Sequence, residues 1–414
     1  FYVLAGEPVR RPCLESGSRA RVISPPALAS DMRQNDSGSD GGFARRTILQ
    51  AAGLSGVSGL AGCLSEVTTT ASAGGDADAA QTDDGPTLPE TGSPAIVDLD
   101  ERGREVTLRS VHARHAAHPG GSLGGPVEMP VTWAFQADDG TPSVPGPVLR
   151  ATEGDDLSIT LDNTDGEMPH TLHFHGVSKS WKDDGVPSTT GLTVMPGEEH
   201  TYEIGADVPG THLYHCHFNT PMHMDMGMYG ILRIDPEGYE EADVERFMTL
   251  KDWDTRLSRS YGGADASYDV QDRRPDAFTI NGRVAPYTFN PDRGSPIVVS
   301  EGDTVRLHLV NAGFMSHPMH THNHRFRTVE KDGAPYPEVL QLPEDVVNVA
   351  PAERYTVEFE ADADPGIYPM HCHKVDHVQN GGVYPGGMLT AIVYEGAMGT
   401  EVFADLMEKA EYEL

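Results

Sequence analysis

From about residue 96 onward, hydrophobic and polar positions alternate in short runs such as Leu157-Ser158-Ile159-Thr160-Leu161 and Val305-Arg306-Leu307-His308-Leu309. Side chains on a strand point to opposite faces in turn, so each run predicts a strand with one face buried. Gly, Pro, Asn and Asp break the runs at close intervals, the signature of Greek-key β-sandwiches or barrels. The only long helical candidate is the tail from Val402 to Glu413. The pattern is present twice. VPGPVLRATEGDDLSITLDNT, HTLHFHG, MPGEEHTYEI and PGTHLYHCH are followed in the same order by SPIVVSEGDTVRLHLVNAG, HPMHTHNH, APAERYTVEF and PGIYPMHCH. Gly154 to His173 is 19 residues and Gly302 to His320 is 18, so the copies share their spacing as well as their order. The expectation is an all-β protein of two tandem domains, at about 96–240 and 245–398, with a tail at 399–414.

The N-terminal part of the 414 residues does not share the pattern. From Arg45 the chain reads RRTILQAAGLSGVSGLAGC, which resembles a twin-arginine export signal with a lipoprotein cleavage box ending at Cys63. Its apolar run is too short and glycine-rich to span a membrane. Residues 1–63 are therefore read as a leader, with Met32 as the expected start. The mature protein would be exported to the cell surface or the extracellular side, held to the outer face of the cytoplasmic membrane only by a lipid on Cys63. Residues 64–95, rich in Thr, Ser, Ala, Gly and Asp, read as a flexible linker.

Charge narrows the partners. Asp and Glu number 63 against 30 Lys and Arg, a net charge of −33. Such an excess repels phosphate backbones and excludes nucleic acid as a partner. It also suits a protein kept hydrated in high salt, a halophilic setting. Cys13, Cys63, Cys216 and Cys372 do not form a disulfide pattern, and the last two each stand between histidines.

Those histidines carry the chemistry. Four His-x-His pairs, His173/His175, His215/His217, His320/His322 and His371/His373, would each project both rings to one side of a strand. Eight imidazoles at a meeting of the two domains suffice for three copper ions. By the same alternation Cys216 and Cys372 face into their own domains. A blue copper needs two His, one Cys and usually a weak axial Met. His170, Cys216, His223 and Met228 supply that set in the first domain, and His317, Cys372, His377 and Met388 in the second.

With HFHG at His173, HPMHTH at His317 and HCHKVDH at His371, the chain resembles the multicopper oxidases over roughly residues 140–395. It is most similar to the two-domain, laccase-like subgroup, whose cupredoxin domains both carry a type 1 copper. The resemblance implies that His173 and His320 hold a type 2 copper. It gives His175, His215, His217, His322, His371 and His373 to a type 3 pair, and implies a homotrimer. It makes Asp184, in DGVP, a proton relay. The implied reaction is one-electron oxidation of a phenol, aromatic amine, metal ion or small redox protein at type 1 copper, coupled to four-electron reduction of dioxygen to water at the trinuclear cluster.

Two departures stand out. Cys216 to His223 is seven residues where the family more often has five, so the FNTPM insert is expected to bulge. Met388 lies eleven residues beyond His377, which makes it the less secure axial ligand. A copper nitrite reductase is the alternative oxidoreductase, but that family has Asp where this chain has His173 and lacks a counterpart of His217. A non-catalytic copper-storage or electron-carrier lipoprotein is the alternative of another class. Structural zinc, content with four ligands, does not explain two cysteines each bracketed by histidines. His112, His115, His118, His200, His212 and His308 are read as structural, and His324 as a neighbour of the second-domain ligands. Met222, Met224, Met226 and Met228 read as core filling, with Cu(I) capture as the other use of exposed thioethers.

Overall fold

The computed structural model describes residues 87–88, 92–118, 127–138, 140–263 and 268–411. The twin-arginine segment, Met32, Cys13 and Cys63 lie outside the described residues, as does most of the stretch read as a linker. Thr87 nevertheless bridges Arg114, and Leu88 is buried among Ala113, Ala117 and Val127, so packing already begins within the 64–95 stretch.

The all-β architecture expected from the alternation is present. Leu157, Ile159 and Leu161 are buried while Ser158 and Thr160 keep partial exposure on the strand Asp156–Asn163. Strands from the first repeat make two sheets. One runs Ile96–Asp98, Val148–Thr152, Tyr229–Asp235, Gly210–His215, His173–Phe174. The other runs Val127–Ala137, Glu105–His118, Asp156–Asn163, Glu198–Gly205, Ser178–Lys179. The second repeat makes the counterpart of the first of these as Ile297–Val299, Leu389–Tyr394, Ile367–Cys372, His317–Thr321, with Val346–Val349 added at the edge. In both, a parallel pairing is followed by two antiparallel ones, ending with His173 opposite His215 and His320 opposite His371. The sequence repeat is thus a repeat of register. The C-terminal helix Glu401–Lys409 is capped by Thr400 and buries Phe403 and Met407.

Each repeat has its own apolar core. Leu157, Phe174, Tyr202 and Leu232 pack with Cys216 and Met228 in one; Leu307, Met319, Val357 and Ile392 pack with Cys372 and Met388 in the other. A third cluster, including Leu213, Tyr229, Phe247, Trp253 and Val310, joins strands of both repeats. Beside it lies a buried polar seam. Arg233 donates to Glu330 Oε2 at 3.0 Å and to Asp235 at 2.7 Å, and the Thr211 amide donates to Glu330 Oε1 at 2.7 Å. His308 bridges Glu245 and Thr211. His115 Nε2–H donates to the Gly282 carbonyl at 2.7 Å, tying the first repeat to the second. Among the described residues no helix is long and apolar enough to cross a membrane.

Candidate metal centres

Strand alternation puts Cys216 in the first core with its neighbours His215 and His217 on the opposite side. Its Sγ lies 3.7 Å from His170 Nδ1 and 3.2 Å from His223 Nδ1, and those nitrogens are 3.1 Å apart. All three residues are fully buried. Donors held ~2.0 Å (nitrogen) and ~2.3 Å (sulfur) from one metal would be separated by about 3.2 and 3.6 Å, so the triangle fits a single ion. His223 is carried by the short helix Thr220–Asp225, entered through Asn219 at φ 45°. The FNTPM insert therefore closes as a helical turn rather than a bulge. The Thr171 amide donates to the sulfur at 3.5 Å, and Trp133 sets its ring edge-on over His223 at 4.7 Å.

The second triangle repeats the first. Cys372 Sγ lies 3.8 Å from His317 Nδ1 and 3.5 Å from His377 Nδ1, which are 3.2 Å apart. Phe278 stacks flat on His377 at 3.9 Å. The axial candidates occupy matching places. The Cys216 amide donates to the Met228 carbonyl and the Met228 amide to the His223 carbonyl, and the same two bonds join Cys372, Met388 and His377. The longer excursion before Met388 starts and ends at the same backbone positions.

Burial sets the protonation of these donors. It pushes His170 down to about 2, and His223 and His377 to about 4, so the rings are neutral with lone pairs available. His317 falls too, burial outweighing a carboxylate beside it. The thiols go the other way, Cys216 to about 12 and Cys372 to about 11, because burial outweighs the hydrogen bonds at Cys216 and the Lys374 charge and amide at Cys372. A bound cation reverses that balance and makes thiolate the stable form.

On the other side of each cysteine stands a quartet of rings. His175 and His215 face each other through Nε2 at 3.0 Å, and His322 and His371 at 3.1 Å. His215 and His371 are aimed by donating Nδ1–H to the carbonyls of Cys216 and Cys372, both at 3.0 Å. His173 donates Nδ1–H to the Asp184 carbonyl at 2.8 Å, and His320 to the Asp345 carbonyl at 2.7 Å, leaving Nε2 free in each. His217 and His373 complete the quartets, their ring centres 5.3 and 5.4 Å from those of His173 and His320. The Asp184 carboxylate sits 3.3 Å from both His173 Nδ1 and Lys179 Nζ. Gly185, at φ 69°, follows it where a Cβ would strike the Leu172 carbonyl.

The quartets do not meet within one chain. Among the described residues no ring of one contacts a ring of the other. Both stay open: His173 and His320 side chains keep 19% and 20% exposure, and His322 and His373 are exposed. The eight imidazoles expected at the meeting of the two domains thus form two separate groups of four. The reason is visible in the fold, where the third apolar cluster and the Arg233–Glu330 seam take up the contact between repeats.

The His118 side chain lies outside the described residues, and others of the remaining histidines have structural contacts. His212 bonds the Val208 carbonyl and His324 bonds Tyr394. Met226 and Met228 are core. Sequence reasoning missed Trp133, Phe278, Asp345 and Asp252, whose Oδ1 lies 3.4 Å from His317 Nε2. None belongs to a motif, and each reaches the site across tens of residues.

Two family models described as multicopper oxidase match residues 141–238 and 267–385, together more than half of the chain. The multicopper oxidase mgLAC is 32% identical, with a TM-score of 0.59 over 72% of this chain and 87% of that one. The chain belongs to the multicopper oxidase family. The blue copper oxidase of Nitrosomonas europaea is 29% identical, with a TM-score of 0.61 over 74% of this chain and 90% of that one. Multicopper oxidase MmcO of Mycobacterium tuberculosis is 26% identical over 79% of this chain. The chain spans 63% of that protein's length, and 28% and 40% of two further curated relatives. Copper is the cofactor of the family, and the buried His-Cys-His triangles and imidazole quartets suit it.

Proposed function

We propose that this chain is a laccase-like oxidase that couples one-electron oxidation of a small reductant to reduction of dioxygen to water. One observation carries the reading. Each buried His-Cys-His triangle lies back to back with an imidazole quartet, joined through the single residue Cys216 or Cys372. Copper bound in these places would supply one-electron redox chemistry at the triangles and dioxygen reduction at the quartets.

The chain's residues provide the rest. His170, Cys216, His223 and Met228, with His317, Cys372, His377 and Met388, would hold the type 1 coppers. His173 and His320 would hold type 2 copper, and His175, His215, His217, His322, His371 and His373 the type 3 pair. Asp184, within reach of His173, would pass protons, with Lys179 as its second partner. Phenols, aromatic amines, metal ions and small redox proteins all fit as electron donors.

Each quartet supplies only half of the ligands a cluster requires, so a second copy of the chain completes it. Exposed Val339, Leu340 and Leu342 lie in the segment that leads to Asp345, exposed Val375 is two residues from His373, Val346 pairs directly opposite His320, and exposed Trp181 lies three residues from Asp184. A head-to-tail contact that buries one rim on the other closes into a ring, and a homotrimer is the proposed state. Export by the twin-arginine segment and a lipid on Cys63 complete the proposal.

The test is copper counting and absorption spectroscopy on the purified protein, then oxygen uptake with a phenol. About five coppers per chain, blue colour and a near-ultraviolet type 3 band are expected. Copper and blue colour without oxygen consumption would favour an electron carrier. Nitrite consumption with no type 3 band would favour a nitrite reductase.

A further inference from the structure

The two triangles match in ligand type and backbone geometry, yet among the charged groups around the second, which include Lys374 and Asp376, one is a fully buried carboxylate beside a ligand imidazole. Asp252 is fully buried on the strand Val244–Trp253 with Oδ1 3.4 Å from His317 Nε2. Once Nδ1 of His317 binds a metal, its Nε2 must carry the proton, and the carboxylate lies at ion-pair distance from that nitrogen without a formed hydrogen bond. The same oxygen accepts the Met315 amide at 2.9 Å, and Oδ2 has no hydrogen-bond partner among the described residues. Gly313 leaves the room: a Cβ there would clash with Oδ1. Nearby Lys251 makes its hydrogen bonds elsewhere, while its charge keeps the Asp252 carboxyl ionised. Its Nζ donates to Asp225 at 3.0 Å and to the Asp252 backbone carbonyl, while Asp225 also takes Arg273.

The first triangle has no such group. His170 and His223 Nε2, like His317 and His377 Nε2, make no hydrogen bond among the described residues, but no carboxylate lies at ion-pair distance from the first two, and the Trp133 ring packs against both of their imidazoles. Asp225 is two residues from His223, but its charge is matched by Lys251 and Arg273.

Resting on the copper reading above, we infer that the two blue sites of one chain differ in reduction potential, with Asp252 making the second-domain site the lower of the two. A carboxylate on a ligand's N–H strengthens that imidazole as a donor and stabilises the more positive, oxidised metal. Gaining one electron is therefore harder in the second domain than in the first. Asp252 is a positioning residue that acts through His317.

Spectroelectrochemical titration of the blue absorption, without oxygen, tests this on full-length copper-loaded protein. Cys372→Ser leaves only the first-domain site and Cys216→Ser only the second. The reduction equilibrium of the second is expected to lie at least tenfold toward the oxidised form, ~59 mV lower for one electron. Asp252→Asn in the Cys216→Ser background should raise the midpoint, as should Gly313→Ala, which displaces the carboxylate. In the Cys372→Ser background Asp252→Asn should shift the equilibrium less than twofold. Equal or reversed midpoints in the two single-site proteins, or no shift from both Asp252→Asn and Gly313→Ala, would overturn the inference alone. Absence of blue absorption from both single-site proteins overturns the copper reading and this inference with it.

Discussion

Loading the first triangle with copper is expected to release one proton, and the same one proton at every pH from 6 to 8. The structure sets that number. His170 and His223, at about 2 and 4, are already neutral and release nothing, while Cys216, at about 12, is a thiol until the metal arrives. Deprotonating such a thiol at pH 7 costs about 7 kcal/mol, against about 2 for an exposed one, and copper binding must supply the difference. A site built from solvent-exposed donors behaves otherwise. Two ordinary imidazoles and an ordinary thiol would release about 2.5 protons at pH 6 and about 0.8 at pH 8. Titration calorimetry with anaerobic cuprous ion, in two buffers of different ionisation enthalpy, reads the proton number directly. The quantity that decides is wild type minus Cys216→Ser, because all other sites cancel. A difference that falls threefold between pH 6 and pH 8 would refute the claim that burial sets the protonation of this site.

Replacing His217 or His373 by Ala should lower oxygen uptake by more than about 100-fold while the blue absorption stays, because Cys216 and Cys372 face the other way. In Asp184→Asn the His173 ring should keep its orientation, since the carbonyl at 2.8 Å holds it, so copper content should be unchanged and the pH profile of oxygen uptake altered. Leu342→Asp, at an exposed position, should change monomer stability by no more than about 0.5 kcal/mol yet shift sedimentation from trimer to monomer. Arg233→Met strands the buried Glu330 carboxylate and should cost roughly 3–5 kcal/mol in denaturant unfolding, with part of the loss recovered by adding Glu330→Gln.

What could be read from the sequence was what local spacing determines. Period-two alternation marks the strands, and within a strand it must place Cys216 opposite His215 and His217, as the core shows. The seven-residue gap before His223 was expected to bulge, yet Thr220-Pro221 is a helix-opening pair, and proline in the first turn was a usable sign. Met388 was in doubt because loop length is all that sequence spacing reports. Backbone bonds at both ends of the excursion fix the methionine whatever its length. Asp252 and Trp133 carried no signal, since 65 residues separate Asp252 from His317 and 90 separate Trp133 from His223. The open quartets were hidden for a related reason. Which faces the two repeats bury against each other depends on side chains such as Arg233 and Glu330 that belong to no motif.

The repeats therefore divide the work between backbone and side chain. The contacts that aim the quartet rings, from His173 to Asp184 O, His320 to Asp345 O, His215 to Cys216 O and His371 to Cys372 O, all end on carbonyls. Carbonyl positions follow from strand register, so two repeats with different side chains keep the same metal geometry. The contacts that differ between repeats, Asp252 on His317, Trp133 over His223 and Phe278 on His377, are side-chain contacts with the triangle imidazoles. They leave the donor atoms in place and change only the charge and polarity around them. One fold can thus hold the same ligand set twice while giving each copy its own electronic environment, a requirement if two blue sites in one chain are to do different work.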